Sequence, residues 1–192
     1  MSIIRLIGGA VFALACAWPG AAQSVGQCAL KPEQLPAVRG LRVGLTAAQL
    51  KTIYPRLVLG RADEFGQSRV ELWHADLAQV DAAAFKGVSN LRLNLVDDRL
   101  VEFSLTYDLL PWKDLNQFVT KTSETLGLPA GWKGGESSVT LDCGRVLIRA
   151  GRSSWSVGSM SPFLSFKETG AEEVIAARVA KKKERQIESF KP

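Results

Sequence analysis

His74 is the only histidine in the chain, so any imidazole chemistry must start there. Asp76 follows two residues later, and Glu71, Asp97 and Asp98 supply further carboxylates. One histidine among acids could hold a weak metal site or act as the base of a hydrolase. Against this stands the commoner state of such a residue, a satisfied histidine at the end of a strand. Asp97 and Asp98 are adjacent, and neighbours in a hairpin turn point apart, so turn chemistry accounts for them. Ser137-Ser138 and Ser153-Ser154 fall in neither G-x-S-x-G nor S-x-x-K. A lone histidine cannot be matched to any one serine. The residues therefore point to no catalytic set, no metal and no cofactor, with His74 and Asp76 the one polar pair to keep in view.

The cysteines carry a different chemistry. Residues 1–22 read as a secretory leader: Arg5 in a short positive region, an apolar run from Leu6 to Ala17, then Trp18-Pro19-Gly20 and small residues before Gln23. The run is too short for a membrane span, which needs about 20 residues. Cys16 follows Ala13-Leu14-Ala15 in a loose lipoprotein-like pattern, so acylation at Cys16 is a minor alternative. If Cys16 leaves with the leader, Cys28 and Cys143 remain, and an exported chain with two cysteines pairs them. In the chain-entropy model a loop of about 100 residues contributes up to about 4.7 kcal/mol. No C-x-x-C is present, which argues against a redox enzyme. The expected location is periplasmic or secreted.

Charge adds a third feature. The formal net charge is +5, and much of the excess lies at Lys181, Lys182, Lys183 and Arg185. Such a run could meet anionic lipid, cell-wall polymer or an acidic partner, at about 1 kcal/mol per residue at a charged membrane. The commoner state of such a run is an exposed, solvated tail. Nucleic acid is disfavoured by the export signal and by the lack of aromatics interleaved with the basic residues. Trp73, Trp112, Trp132 and Trp155 lie beyond the leader. Trp73 alternates away from Val70 and Leu72, so the second face of that strand is a candidate for cover by helices or by a partner, two readings that the sequence does not separate.

These residues need elements to position them. Thr46-Ala47-Ala48-Gln49 is a capping box that opens a short helix, and Pro55 stops it. Leu57-Val58-Leu59 reads as a short strand. Residues 68–74 alternate, with Val70, Leu72 and His74 on one face. Residues 76–86 fit either a helical turn or a connection that brings Phe85 inward. Residues 90–95 place Leu91, Leu93 and Leu95 on one face. Val101, Phe103, Leu105 and Tyr107 line the next strand after the Asp97-Asp98 turn, giving a hairpin. Residues 114–126 form an amphipathic helix through Leu115, Phe118, Val119, Thr122 and Leu126, closed by Gly127. Val139, Leu141 and Cys143, then Val146, Ile148 and Ala150, make a second hairpin. Short strands are expected at 154–159 and 163–166, and a helix with a charged second half from Ala171.

The fold class that follows is α+β: an antiparallel sheet of hairpins, short helices on one face, and a charged C-terminal helix or tail. Residues 23–168 form the domain and 169–192 the charged extension. Gly44-Leu45-Thr46-Ala47-Ala48-Gln49-Leu50, followed by a proline, resembles the opening of exported outer-membrane assembly lipoprotein (SmpA/OmlA-like) and β-lactamase-inhibitor-like domains. Those motifs carry Met at the position of Leu45 and Gly-x-Pro at the position of Tyr54-Pro55. The resemblance covers about a dozen residues and implies helices against an antiparallel sheet and action by protein binding. The expected function is a non-catalytic envelope interaction protein. The alternatives are a ligand or metal binder or hydrolase using His74, and a peripheral surface binder using the basic run.

Overall fold

The computed structural model describes residue 28 and residues 30–108, 114–153 and 161–189. The leader, Cys16, Trp112, Trp155, the expected strand at 154–159, Phe190 and Lys191 lie outside the described residues. The fold is α+β, as the alternating and helical patterns require.

The N-terminal stretch enters through a 3-10 turn, Pro32–Gln34. Val38 and Leu41 then exchange backbone hydrogen bonds across Arg39-Gly40, both in the left-handed region. Helix α1, Ala47–Ile53, starts at the expected box: the Gln49 N–H donates to Thr46 Oγ1 at 3.2 Å, and the Thr46 N–H donates to Gln49 Oε1 at 2.8 Å. Leu57-Val58-Leu59 is not a strand. Leu57 is buried and Val58 is 77% exposed, but the edge of the sheet is approached only later, where Ser68 Oγ donates to the Gly60 carbonyl and the Asp63 N–H to that of Gln67.

Strand β1, Gln67–Trp73, ends one residue earlier than its alternation suggests. The Trp73 N–H donates to the Asp76 carboxylate at 3.0 Å, and His74 becomes the first residue of helix α2, His74–Asp81. Asp81 then accepts from the N–H groups of Ala83 and Ala84. That turn brings Phe85 into the core against Tyr54, ring centroids 5.0 Å apart.

Strands β2, Val88–Val96, and β3, Arg99–Tyr107, form the expected hairpin. Asp97 and Asp98 take φ of 49° and 59°, the positive pair that a two-residue turn needs to match strand twist. A bulge corrects one expectation. Asn94 pairs Glu102 but Leu95 pairs Leu100, so Val101 drops out of register and Leu100, fully buried, takes the core position.

Helix α3, Leu115–Leu126, is capped by Asp114 accepting from the Gln117 N–H at 2.8 Å and ends at Gly127 with φ 64°. Strands β4, Lys133–Gly134; β5, Ser138–Asp142; β6, Val146–Ser153; and β7, Ser161–Glu168, complete the described sheet. Helix α4, Ala171–Ser189, is continuous through the charged run.

Among the described residues the strand order is β1-β2-β3-β7-β6-β5-β4, antiparallel throughout. Two meanders, β1-β2-β3 and β5-β6-β7, each meet the other along its last strand. No sequence period announces this, yet the topology is two-fold. Phe103 stacks on Phe166 at 4.9 Å across the seam. On this face α1, α2 and α3 contribute Leu50, Tyr54, Leu77, Leu115 and Phe118 to one cluster with Leu91, Leu93, Leu105, Ile148 and Leu164.

A bridge joins Cys28 to Cys143, Cα atoms 4.4 Å apart and 115 residues apart in sequence. Both cysteines are buried in the same cluster. It ties the N-terminal stretch to the end of β5. Cys28→Ser with Cys143→Ser should cost about 2–5 kcal/mol of unfolding free energy. Chemical denaturation with and without reductant measures it; an unchanged midpoint would show that the bridge does not constrain the unfolded chain.

Candidate functional site

Because β-strands alternate, burying one set of side chains exposes the other. The second face of this sheet carries no apolar layer, and no described helix packs over its middle. Partners in register line up there as rows that cross the strands. One row holds Trp73, Asn90, Thr106, Phe163 and Gly151; the next holds Glu71, Arg92, Ser104, Ser165, Arg149 and Thr140; the third holds Arg69, Asn94, Glu102 and Lys167. All of them but Gly151, Thr140 and Lys167 line a shallow polar trough of about 830 Å³.

Polar contacts fix the floor. Arg92 Nε donates to Glu71 Oε1 at 3.0 Å, and Asn90 Nδ2 donates to the same oxygen at 3.2 Å. Arg69 Nε donates to Asn94 Oδ1 at 3.0 Å, and Asn94 Nδ2 to Glu102 Oε2 at 2.7 Å. Arg149 donates to Ser138 Oγ at 3.1 Å and lies 5.6 Å over the Phe163 ring. Gly151 makes room for that ring: a Cβ there would come within 2.6 Å of it. Trp73, 47% exposed, stands at one end. The face therefore has arginines whose partners are mostly neutral, hydroxyls and amides between them, and an aromatic at the rim. That is recognition chemistry, with charged forks and amphipathic rings available to a second molecule.

Helix α4 leans over the hairpin end of this face. None of its described side chains is fully buried, so ionic contacts dominate its docking. Arg178 donates to both Asp97 carboxylate oxygens, at 2.9 and 2.6 Å, and to the Phe65 carbonyl at 2.6 Å. Lys182 pairs with Glu64 at 2.5 Å and sits 5.5 Å over the Phe65 ring. Lys167 pairs with Glu172. Gly66, φ 77°, permits the latch, since a Cβ there would lie 2.4 Å from Asp97 Oδ1 and 2.7 Å from Arg178. The same turn serves α1, because the Asp98 carbonyl accepts from the Ala47 N–H at 2.7 Å. Turn chemistry alone, the expectation for Asp97-Asp98, leaves out this contact. The missed role had a faint signal, an arginine one turn after Val174 on the same helix face, but no local pattern joins it to a turn 81 residues earlier.

The other expected residues are placed as follows. His74 and Asp76 are exposed on α2, neither lines the trough, and Asp76 is engaged by the Trp73 N–H. Among the described residues no group of three or more His, Cys, Asp or Glu is placed to hold a metal ion. Lys181, Lys183 and Arg185 are exposed, while Lys182 is held by Glu64. Trp132 is partly buried and donates from Nε1 to Ser123 Oγ at 2.9 Å, so it belongs to the α3 side. Among the described residues no helix is long and apolar enough to cross a membrane. The chain matches no protein-family model, no curated protein and no solved structure.

The Arg178 hydrogen bond holds the Asp97 carboxyl below the usual carboxylate range. A carboxyl depressed by folding stabilises the docked helix above its unfolded pKa, near 3.8, and that contribution fades as pH falls through the lower folded value. The protection factors of the α4 amides, taken against the intrinsic exchange rate at each pH, should fall on acidification below about pH 4, and Arg178→Ala should produce the same loss at neutral pH, while β2 and β3 stay protected. Equal α4 protection in wild type and variant would show that the latch does not hold the helix.

Proposed function

We propose that this chain is an exported, non-catalytic protein-interaction domain that docks a partner of the bacterial envelope on the open face of its sheet. The observation that carries the reading is the asymmetry of that sheet. Among the described residues the short helices α1, α2 and α3 are used on one side, while the other side presents Trp73, Phe163 and a set of arginines on the sheet. A sheet that merely needed solubility would be served by scattered charges, without an aromatic rim or arginines braced by hydrogen bonds. Export is supported by the Cys28–Cys143 bridge, which persists in oxidising compartments, and by the leader pattern in the sequence. The likeness of residues 44–50 to SmpA/OmlA-like and β-lactamase-inhibitor-like openings agrees with this reading, since those domains act by binding proteins.

The test is site-specific photo-crosslinking in cells that export the chain. Probes at Ser104 and Thr106, on the open face, should give a discrete adduct with a partner protein. Probes at Lys51 and Asn116, exposed on α1 and α3, should give none. Adducts from the helix positions with none from Ser104 or Thr106 would overturn the assignment of the face.

A further inference from the structure

The geometry points to a more specific occupant: we propose that Arg92, Ser104, Ser165 and Arg149 form an anion seat for two carboxylates of an extended acidic segment in the partner. The inference rests on the open-face reading and deepens it. The four residues are consecutive in one row, because Arg92 pairs Ser104, Ser104 pairs Ser165 across the seam, and Ser165 pairs Arg149. Neighbouring strands lie about 4.8 Å apart, so the two arginines stand about 14 Å apart at their backbones with two hydroxyls between them. An extended chain rises about 3.4 Å per residue and repeats its side-chain direction every second residue. Acidic residues at i and i+4 therefore point the same way and span about 14 Å. The side chain at i+2 falls over the serine hydroxyls.

Charge favours this occupant. Among the described residues Arg149 is held by a hydroxyl and a ring. Arg92 gives its Nε to Glu71, which leaves the terminal nitrogens of the guanidinium for a carboxylate. Arg69 is bonded to the neutral Asn94 amide, and Arg152, exposed near the end of β6, borders the trough. Against these four guanidiniums the trough sets Glu71 and Glu102. A second observation is the two-fold arrangement. Arg92 and Arg149 occupy equivalent places, each on the middle strand of its meander beside the seam serine. The seat presents the same fork from both sides, which suits a ligand with two like charges. Guanidinium forks bind carboxylates bidentately, a geometry lysine cannot reproduce.

The test uses the disulfide-intact chain and a labelled extended peptide with Asp at two positions four residues apart, read by fluorescence anisotropy. Two control peptides carry Asn at both positions or Asp at adjacent positions. Wild type should bind the first peptide and neither control, with affinity falling as salt rises. Arg92→Ala and Arg149→Ala should each weaken binding about tenfold or more, since each removes charged hydrogen bonds. Arg149→Lys, which keeps the charge and the fold, should also weaken it. Equal binding of the Asn peptide, or full affinity in Arg92→Ala/Arg149→Ala, would overturn the seat. So would binding to phosphatidylglycerol vesicles that the double variant loses, with no peptide binding by wild type, because that result assigns the arginines to lipid headgroups. Crosslinking from Ser104 separates the two levels. An undiminished adduct in the double variant removes the anion seat and keeps the docking face, whereas no adduct in wild type removes the face itself.

Discussion

The pairing of β3 with β7 is the constraint on which the rest depends. It is the only described ladder that joins the two meanders. Its register sets Phe103 against Phe166 and Leu105 against Leu164 on one side of the sheet. On the other side the same register sets Ser104 against Ser165. A slip by one residue would move every side chain of one strand to the opposite face. Phe103 and Phe166 are almost completely buried and stacked, so the core holds the register, and the register builds the polar row. The floor of the proposed seat is thus a by-product of apolar packing on the far side of the backbone.

That division explains the unequal treatment of the helices. The helices α1, α2 and α3 bury Leu50, Leu77, Leu115 and Phe118 in the common cluster. Their positions follow from hydrophobic burial, which is non-directional and strong. Helix α4 has little apolar surface to offer: Ile175 and Val179 are only partly buried, and Val174 and Ile187 are exposed. It is placed by Arg178 on Asp97 and by Lys182 on Glu64, contacts that salt and acid weaken. The hairpin turn is a shared anchor, its Asp98 carbonyl taking the first N–H of α1 and its Asp97 carboxylate taking α4. One turn therefore ties a strongly held helix and a weakly held one to the same end of the sheet. The helix on the open-face side is the weakly held one, so the end of the trough is the region most open to change.

The sequence was most legible where the physics is local. The Thr46 and Gln49 box, the Asp114 cap with Gly127, the Asp97-Asp98 hairpin and the alternation of Leu91, Leu93 and Leu95 all depend on neighbours a few residues away, and all are present. The Cys28–Cys143 pairing was legible by elimination once export was assumed. Errors arose where a distant or competing contact decides. The Asp76 carboxylate ends β1 before His74, and a bulge at Val101 shifts the core phase to Leu100. Leu57-Val58-Leu59 has the composition of a strand, but it pairs with no strand among the described residues. The arginine row was invisible, because Arg92 and Arg149 belong to different hairpins. Only the β3–β7 ladder makes them neighbours, and no local pattern encodes which strands of two meanders will meet.

The most direct measurement is oxidative crosslinking of Ser104→Cys with Ser165→Cys in the folded chain, mapped by peptide mass spectrometry with the Cys28–Cys143 bridge intact. The seam register predicts an efficient bond between positions 104 and 165, formed without unfolding, together with loss of the partner adduct from Thr106 because the floor between the arginines is closed. Two free thiols at these positions under oxidising conditions, or a bond that forms only after denaturation, would contradict the register and with it the row that the register builds.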